Sequence, residues 1–416
     1  MEVNGSWGKV KGGTMSTVPI ETAARGNRTV AAVAEVQSRA SGRLHFVDNI
    51  RVLLTILVLL HHLMIVYAGS GSWGLYEEGR QDTITNVIGT WFCAVDQAYF
   101  MGLFLLISAY FVPGSYDRKG AGRFLKDRLI RLGIPLVVYS WLIDPLSRYL
   151  IPRLTGGQGL PWWSYLPGKQ EAVIGAGPLW FVEVLLIFSL VYMLWRLLFR
   201  PHAPRPAVET EGAFPSNAAI ALFALLLGVA GFLVRLWHPI DWSFQPLNLQ
   251  LPFFSQYIAL FVLGLIAYRR NWLLGLPAST GRLWLRIAVV VILLFVPLAL
   301  AGGALESDEP FKGGWYWQAL VYACWESYLC LAMCIGLIYL FRRYGDRQGR
   351  LARFLSPNAY AAYVIHGPVI TAVALAMRDV ALYPLLKFGL AVLVALPLSF
   401  GLSSLIRRLP YVARVL

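Results

Sequence analysis

Charge is what this sequence has least of. Only 14% of its 416 residues are Asp, Glu, Lys or Arg, against about 25% in soluble globular domains. With 57% apolar residues and a mean hydropathy of +0.59, a chain soluble along its whole length is excluded. Cysteine is sparse too: four residues exclude a disulfide scaffold. All four (Cys93, Cys324, Cys330 and Cys334) fall in apolar stretches, where Cys behaves as a small hydrophobe. Cys330 and Cys334 share a helix face, but no third or fourth ligand lies nearby in sequence, so no metal site is expected. A formal net charge of +14 is divided among short loops, which excludes a nucleic-acid-binding surface. A secretory leader is not expected either: residues 1–43 are rich in Gly, Ser, Thr, Ala and Arg and hold no apolar core.

What the chain has in place of charge is long apolar runs. Ten stretches of about 20 residues are long enough to cross a bilayer: Phe46–Ala68, Thr90–Phe111, Leu132–Ile151, Pro178–Phe199, Ser216–Leu236, Leu251–Tyr268, Leu283–Ala301, Tyr316–Phe341, Asn358–Met377 and Leu385–Ile406. The pattern predicts an all-α polytopic transmembrane bundle of about ten helices spanning residues 44–406. A disordered tail (1–43) and a short basic C-terminus (407–416) flank it. Between the spans lie turn formers such as Pro113-Gly114, Gly156-Gly157 and the Pro201–Pro206 segment. With both termini inside, 28 of the 36 lysines and arginines fall on the cytoplasmic side. That asymmetry supports the even span number and the orientation with both termini cytoplasmic, and a bacterial inner membrane is the expected location.

Ionisable residues within spans are costly to bury and are functional candidates by default. The first span holds the densest group: Asp48, Arg51, His61 and His62. Eleven residues separate Arg51 from His62, and eleven steps of about 100° close to within about 20°, so the two share a face with His62 about 16 Å along the axis. Asp48 lies on nearly the same face as Arg51, either as an interfacial ion pair or as part of a site. His61 points about 100° away and is read as a helix-to-helix partner. A neutral imidazole with an arginine below it suits general-base chemistry on a hydroxyl. Asp96, Glu183, Glu326 and His366 add polar groups in other spans, and together with the His62 face they suggest one polar cavity. Glu183 follows a Pro178-Leu-Trp180-Phe helix opening, and His366 precedes Gly367-Pro368, where a kink is expected. Arg128 and Arg131 lie on one helix face. They serve either as plain topology and lipid attraction or as a phosphate clamp. Trp162 and Trp163 are read as an interface anchor.

In this order the residues resemble the acyltransferase-3 family of integral membrane acyltransferases, which includes O-antigen and exopolysaccharide O-acetyltransferases and glucan-modifying proteins. Arg51 and His62 match its Arg-x10-His signature, and Tyr99 to Tyr110, with Ser108, looks like its Phe-rich helix. Arg128-Leu-Ile-Arg131 matches its Arg-x-x-Arg motif, Pro178-Leu-Trp180-Phe its Leu-Trp-Phe opening, and Ser356 to His366 its late Tyr-x-x-His segment. Ala109 departs from the family's usual Gly, which puts the backbone packing there in question.

The resemblance implies an enzyme that moves a short acyl group, acetyl foremost, from cytoplasmic acyl-CoA to a hydroxyl of a cell-envelope carbohydrate or glycolipid. It implies no permanently bound cofactor. His62 would be the general base or a transiently acylated nucleophile, assisted by Arg51 and Asp48. Arg51, Arg128 and Arg131 would hold the CoA phosphates, and Ser108, Trp180, Glu183 and His366 would line the cavity or meet the acceptor. No fused soluble transferase is expected. The competing expectation is a transporter or flippase in which His62, Glu183 and His366 relay protons.

Overall fold

A computed structural model describes residues 1–2, 43–68, 71, 76–78, 82–166, 176–199, 213–244 and 247–416. The expected tail and the Pro201–Pro206 segment therefore lie outside the described residues, apart from positions 1, 2 and 43. Among the described residues ten helical segments are long and apolar enough to cross a membrane: α1 His45–Ala68, α2 Thr83–Tyr110, α3 Val112–Leu154, α4 Gly177–Phe199, α5 Asn217–Arg235, α6 Leu251–Arg269, α7 Ala278–Ala301, α8 Trp317–Tyr344, α9 Arg350–Ala376 and α10 Pro384–Ile406. The all-α expectation holds, with no extended strand among the described residues.

Four helices form the centre. Two-thirds of the most apolar window of α1, α2, α8 and α9 is buried against protein, whereas only 11% of that of α7 is. α1 packs on α2, α9 and α10, α2 on α6 and α8, and α8 on α5 and α7. A helix that is apolar all round but mostly uncovered, such as α7, has lipid as its solvent. Lipid provides no hydrophobic drive between helices, so small residues that admit close backbone approach do the packing. At Gly264 in α6 an added Cβ would stand 2.3 Å from the Leu106 carbonyl oxygen and 2.7 Å from the Ala109 Cβ. Ala109, where the family usually has Gly, is thus accommodated by a glycine on the facing helix.

Two expected boundaries shift for physical reasons. Residues 112–131, expected as a loop, continue helically from α2 into the third span. Pro113 sits in the first turn, where the missing amide costs nothing. The break comes instead at Gly120, whose φ of 70° belongs to the left-handed region open to glycine. α3 then carries two π-helical turns, Leu129–Gly133 and Tyr139–Ile143, each followed within two residues by a proline, Pro135 and Pro145. α9 begins eight residues before the expected Asn358, because Pro357 is absorbed inside the helix.

One end of the bundle is basic. It gathers the start of α1, the 344–350 connection, the start of α9 and the end of α10. The Phe46 amide donates to Asp346 Oδ1 at 3.1 Å and Asn49 Nδ2 to the Gly345 oxygen at 2.6 Å. At the opposite end Asp82 caps α2: its carboxylate accepts from the Thr85 amide (3.0 Å), the Thr85 hydroxyl (2.7 Å) and the Tyr383 hydroxyl (2.9 Å). These bonds, the Thr85 hydroxyl first, hold the Asp82 pKa down to about 2. Lys387 on α10 is paired there with Glu78.

Candidate active site

The site is assembled along one face of α9. Tyr360, Tyr363 and His366 follow one another at intervals of three residues, which keeps them on one side of a helix. Each makes one contact to a different motif. The Tyr360 hydroxyl donates to the Arg131 carbonyl at 2.5 Å. Pro135 has no amide to offer that carbonyl four residues back, so a side chain from another helix takes the place. The Tyr363 hydroxyl donates to the Pro178 carbonyl at 2.6 Å, tying α9 to the opening turn of α4. His366 Nε2 lies 3.1 Å from His62 Nδ1, with the two rings stacked at a centroid distance of 5.0 Å.

The proton positions follow from the partners. His366 Nδ1 is hydrogen-bonded to the Tyr363 carbonyl, which can only accept, so His366 Nδ1 carries the hydrogen. In a neutral ring Nε2 is then an acceptor, and it takes its hydrogen bond from His62 Nδ1. The lone pair of neutral His62 therefore sits on Nε2. His366 is fully buried at 0% exposure, whereas His62 keeps some accessible surface. Of the two rings, His62 is the one a reactant can reach. Gly367-Pro368 follow at once, and Pro368 lies inside α9 with no amide for the preceding turn.

His61 turns the other way, as its position on the helix requires. Its Nδ1 is 3.1 Å from Asp96 Oδ2 on α2, and its ring stacks on Phe100 at 5.1 Å. It meets His62 only edge-on, at 5.6 Å between centroids. The Asp96–His61 pair thus lies beside the His62 ring. Asp96 Oδ1 is buried without a hydrogen-bond partner among the described residues.

At the basic end Arg51 is 3.6 Å from Asp48 and lies over the Phe111 ring at 4.8 Å. Arg128 lies over Phe124 at 4.9 Å, and Arg51 and Arg131 are the cations whose fields reach it. The three arginines named from sequence thus share one electrostatic neighbourhood, at the same end as the start of α1. Ser108, near the end of α2, lies on this side too, its carbonyl accepting from the Phe111 amide at 3.3 Å. One turn earlier, Phe104 is the α2 residue that packs on Phe181 and Tyr363, at 4.9 and 6.4 Å.

Trp180 stacks on Tyr257 of α6 at 5.3 Å, and the Tyr257 hydroxyl accepts from Gln97 Nε2 at 3.2 Å. Glu183 lies one turn further along α4, its Oε2 buried with no hydrogen-bond partner among the described residues. The expectation that Asp96, Glu183, Glu326 and His366 share one cavity is corrected. Glu326 belongs to a separate buried pair with Arg235, at 2.6 Å and both almost inaccessible. Arg235 also faces the Phe253 and Tyr322 rings, at 5.1 and 5.7 Å. The pairing was missed because 91 residues separate the partners; the signal was one unexplained ion of each sign in two spans. Tyr360 was missed as well, since its contact is to a main-chain atom.

Comparison with known proteins adds the following. A protein-family model described as "Acyltransferase domain", the acyltransferase-3 type, matches residues 44–404. A relative named "Glucans biosynthesis protein C" from Salmonella heidelberg (strain SL476) is 25% identical over 244 residues, covering 54% of this chain and 58% of its own. A protein of the same name from Salmonella schwarzengrund (strain CVM19633) is 25% identical over 240 residues with the same coverage. The chain therefore spans less than two-thirds of the length of these relatives. No solved structure matches.

Proposed function

Because this chain belongs to the acyltransferase-3 family of acyltransferases, we propose that it moves a short acyl group from acyl-CoA to a hydroxyl of a cell-envelope carbohydrate. The carbohydrate acceptor is suggested by the relatives, whose name refers to glucan biosynthesis. The observation that carries the proposal is the α9 face: Tyr360, Tyr363 and His366 tie the arginine segment, the α4 opening and His62 to one rigid element.

In this reading Arg51, Arg128 and Arg131 hold the donor's phosphates at the basic end, where guanidinium forks suit phosphate oxygens. The acyl thioester lies against His62. His62 Nε2 takes the proton of the acceptor hydroxyl as its oxygen attacks the thioester carbon. The carbon–sulfur bond then breaks, and the departing thiolate takes that proton back from His62. His366 holds the His62 ring in the tautomer that leaves Nε2 basic, and Asp96–His61 supports it from behind. The basic end faces the cytoplasm, where acyl-CoA is made, and the acceptor approaches from the opposite end past Trp180 and Glu183.

The test is release of free CoA by the purified protein given acetyl-, propionyl- or succinyl-CoA, with and without a glucan or envelope-glycan acceptor. Acceptor-stimulated release that disappears in a folded His62→Ala variant supports the reading. Acylation of His62 trapped in the absence of acceptor replaces the general base with a covalent route. Failure of every donor to bind sinks the enzyme reading.

A further inference from the structure

At the basic end a groove of about 310 Å³ opens between the first turns of α9 and the last turn of α10. Three arginines line it: Arg353 from α9, and Arg407 and Arg408 at the end of α10. Pro357, Asn358, Ser404 and the Phe354 ring complete the wall, and no lining residue is acidic. Arg407 is already held: Nη1 donates to Asn358 Oδ1 at 3.0 Å and Nε to the Leu416 main-chain oxygen at 3.0 Å. Asn358 is fixed in turn by its Nδ2 donating to the Phe354 carbonyl at 2.8 Å. Arg353 and Arg408 have no side-chain partner among the described residues. A preset guanidinium flanked by two that still have donors to spend is the arrangement a phosphate group satisfies.

The surroundings choose among phosphates. Phe354 in the wall is 42% exposed, and Leu351, Leu405 and Leu409, each within two residues of a lining position, stand 69, 56 and 56% exposed, at the level where two spans end. A soluble phosphate has no use for such a rim, whereas the acyl chains of a lipid do. Cationic pockets between helices at a membrane face are the usual seat of acidic headgroups. We infer that this groove binds the phosphate headgroup of an anionic phospholipid, its acyl chains lying along the exposed leucines. The inference stands apart from the proposed acyl transfer, since none of these residues is given a part in it.

The test uses the full chain in a mixed micelle. Retained lipid is counted by native mass spectrometry, and thermal unfolding is followed with phosphatidylglycerol, phosphatidylcholine, inorganic phosphate or CoA added. Wild type should retain phosphatidylglycerol and be stabilised by it, but not by phosphatidylcholine. Arg353→Gln/Arg408→Gln should lower the affinity for phosphatidylglycerol about 30-fold, at the strength typical of two cations beside an anionic lipid. Arg282→Gln/Arg286→Gln, which removes the same charge from exposed positions elsewhere on α7, should leave it unchanged. Ser404→Phe, which fills the groove without altering charge, should also displace the lipid and covers the case in which the double variant does not fold. Equal loss in the two arginine pairs means diffuse surface attraction and overturns the inference. So does a groove variant that retains lipid as well as wild type. An effect confined to the phosphate or CoA arms would make it a site for soluble phosphates instead.

Discussion

His366 Nε2 stands 3.1 Å from His62 Nδ1, and the Tyr363 carbonyl behind His366, together with the main-chain hydrogen bond of His62 to Val58, decides which of these atoms carries hydrogen. Main-chain groups thereby set the protonation pattern of the His62 ring, in one case from two hydrogen bonds away. His62→Ala should abolish acceptor-stimulated CoA release, by the ~10²–10⁴-fold a general base contributes. His366→Phe should leave the KM for donor nearly unchanged and lower kcat by less than His62→Ala does. Equal activity of His366→Phe and wild type would remove His366 from the mechanism.

The arginine segment should show the opposite kinetic split. Arg131→Gln removes a charged donor worth ~1.5–3 kcal/mol, so the donor KM should rise roughly ten- to a hundredfold with kcat largely kept. Tyr360→Phe, which removes only the hydrogen bond to the Arg131 carbonyl, should move KM in the same direction by less, at ~0.5–1.5 kcal/mol. Steady-state kinetics with varied acyl-CoA measure both.

The Arg235–Glu326 pair should matter for stability and not for turnover. Glu326→Leu alone leaves a buried guanidinium without its ion and should cost about 3–5 kcal/mol. Arg235→Met combined with Glu326→Leu should recover most of that loss, since an apolar pair of similar volume is tolerated. Thermal unfolding in detergent of the two single variants and the double variant forms the cycle that decides it.

Gly264→Ala should destabilise the α2–α6 contact by about 1–3 kcal/mol through overpacking. Adding Ala109→Gly should not rescue it, because the tighter of the two contacts is to the Leu106 carbonyl oxygen, at 2.3 Å. Recovery in the double variant would show that the backbone gives way.

Asp82 sets an acid limit for its cap. Its pKa is held at about 2, below the ordinary 3.8. The native state therefore binds the proton less readily than the unfolded chain, and the cap's contribution is complete above about 3.8. It is lost as pH falls through about 2. Asp82→Asn should flatten that part of the stability profile, measured as unfolding midpoint against pH, by bringing the neutral range down toward the acid level.

The bundle was legible in the sequence because membrane spans are long and their composition uniform: every apolar run became a helix. The boundaries were less so, since Pro113 and Pro357 look like breakers yet occupy places where a helix or its neighbours absorb them. In the site, Arg51, His62 and the direction of His61 followed from eleven residues of helical phase. The partners did not. His366 meets His62 across 304 residues, and Tyr360 reaches Arg131 across 229. The latter contact goes to a carbonyl, which no side-chain pattern reports. Glu326 was visible as a costly ion but not its owner, because a lone carboxylate in a span carries no record of which helix will neutralise it.

The α9 face also measures length. Six residues separate Tyr360, which grips the arginine segment, from His366, which grips His62, a rise of about 9 Å along the helix. On α1 the step from Arg51 to His62 is about 16 Å. Both spacings belong to rigid helices, so a donor anchored by its phosphates reaches His62 only if its own chain spans that gap. A compact donor such as an acyl phosphate, with the acyl carbon one bond from the phosphate, falls short of it. Under the proposed acyl transfer, donor selection is in this sense made by a ruler, and it precedes any recognition of the acyl group itself.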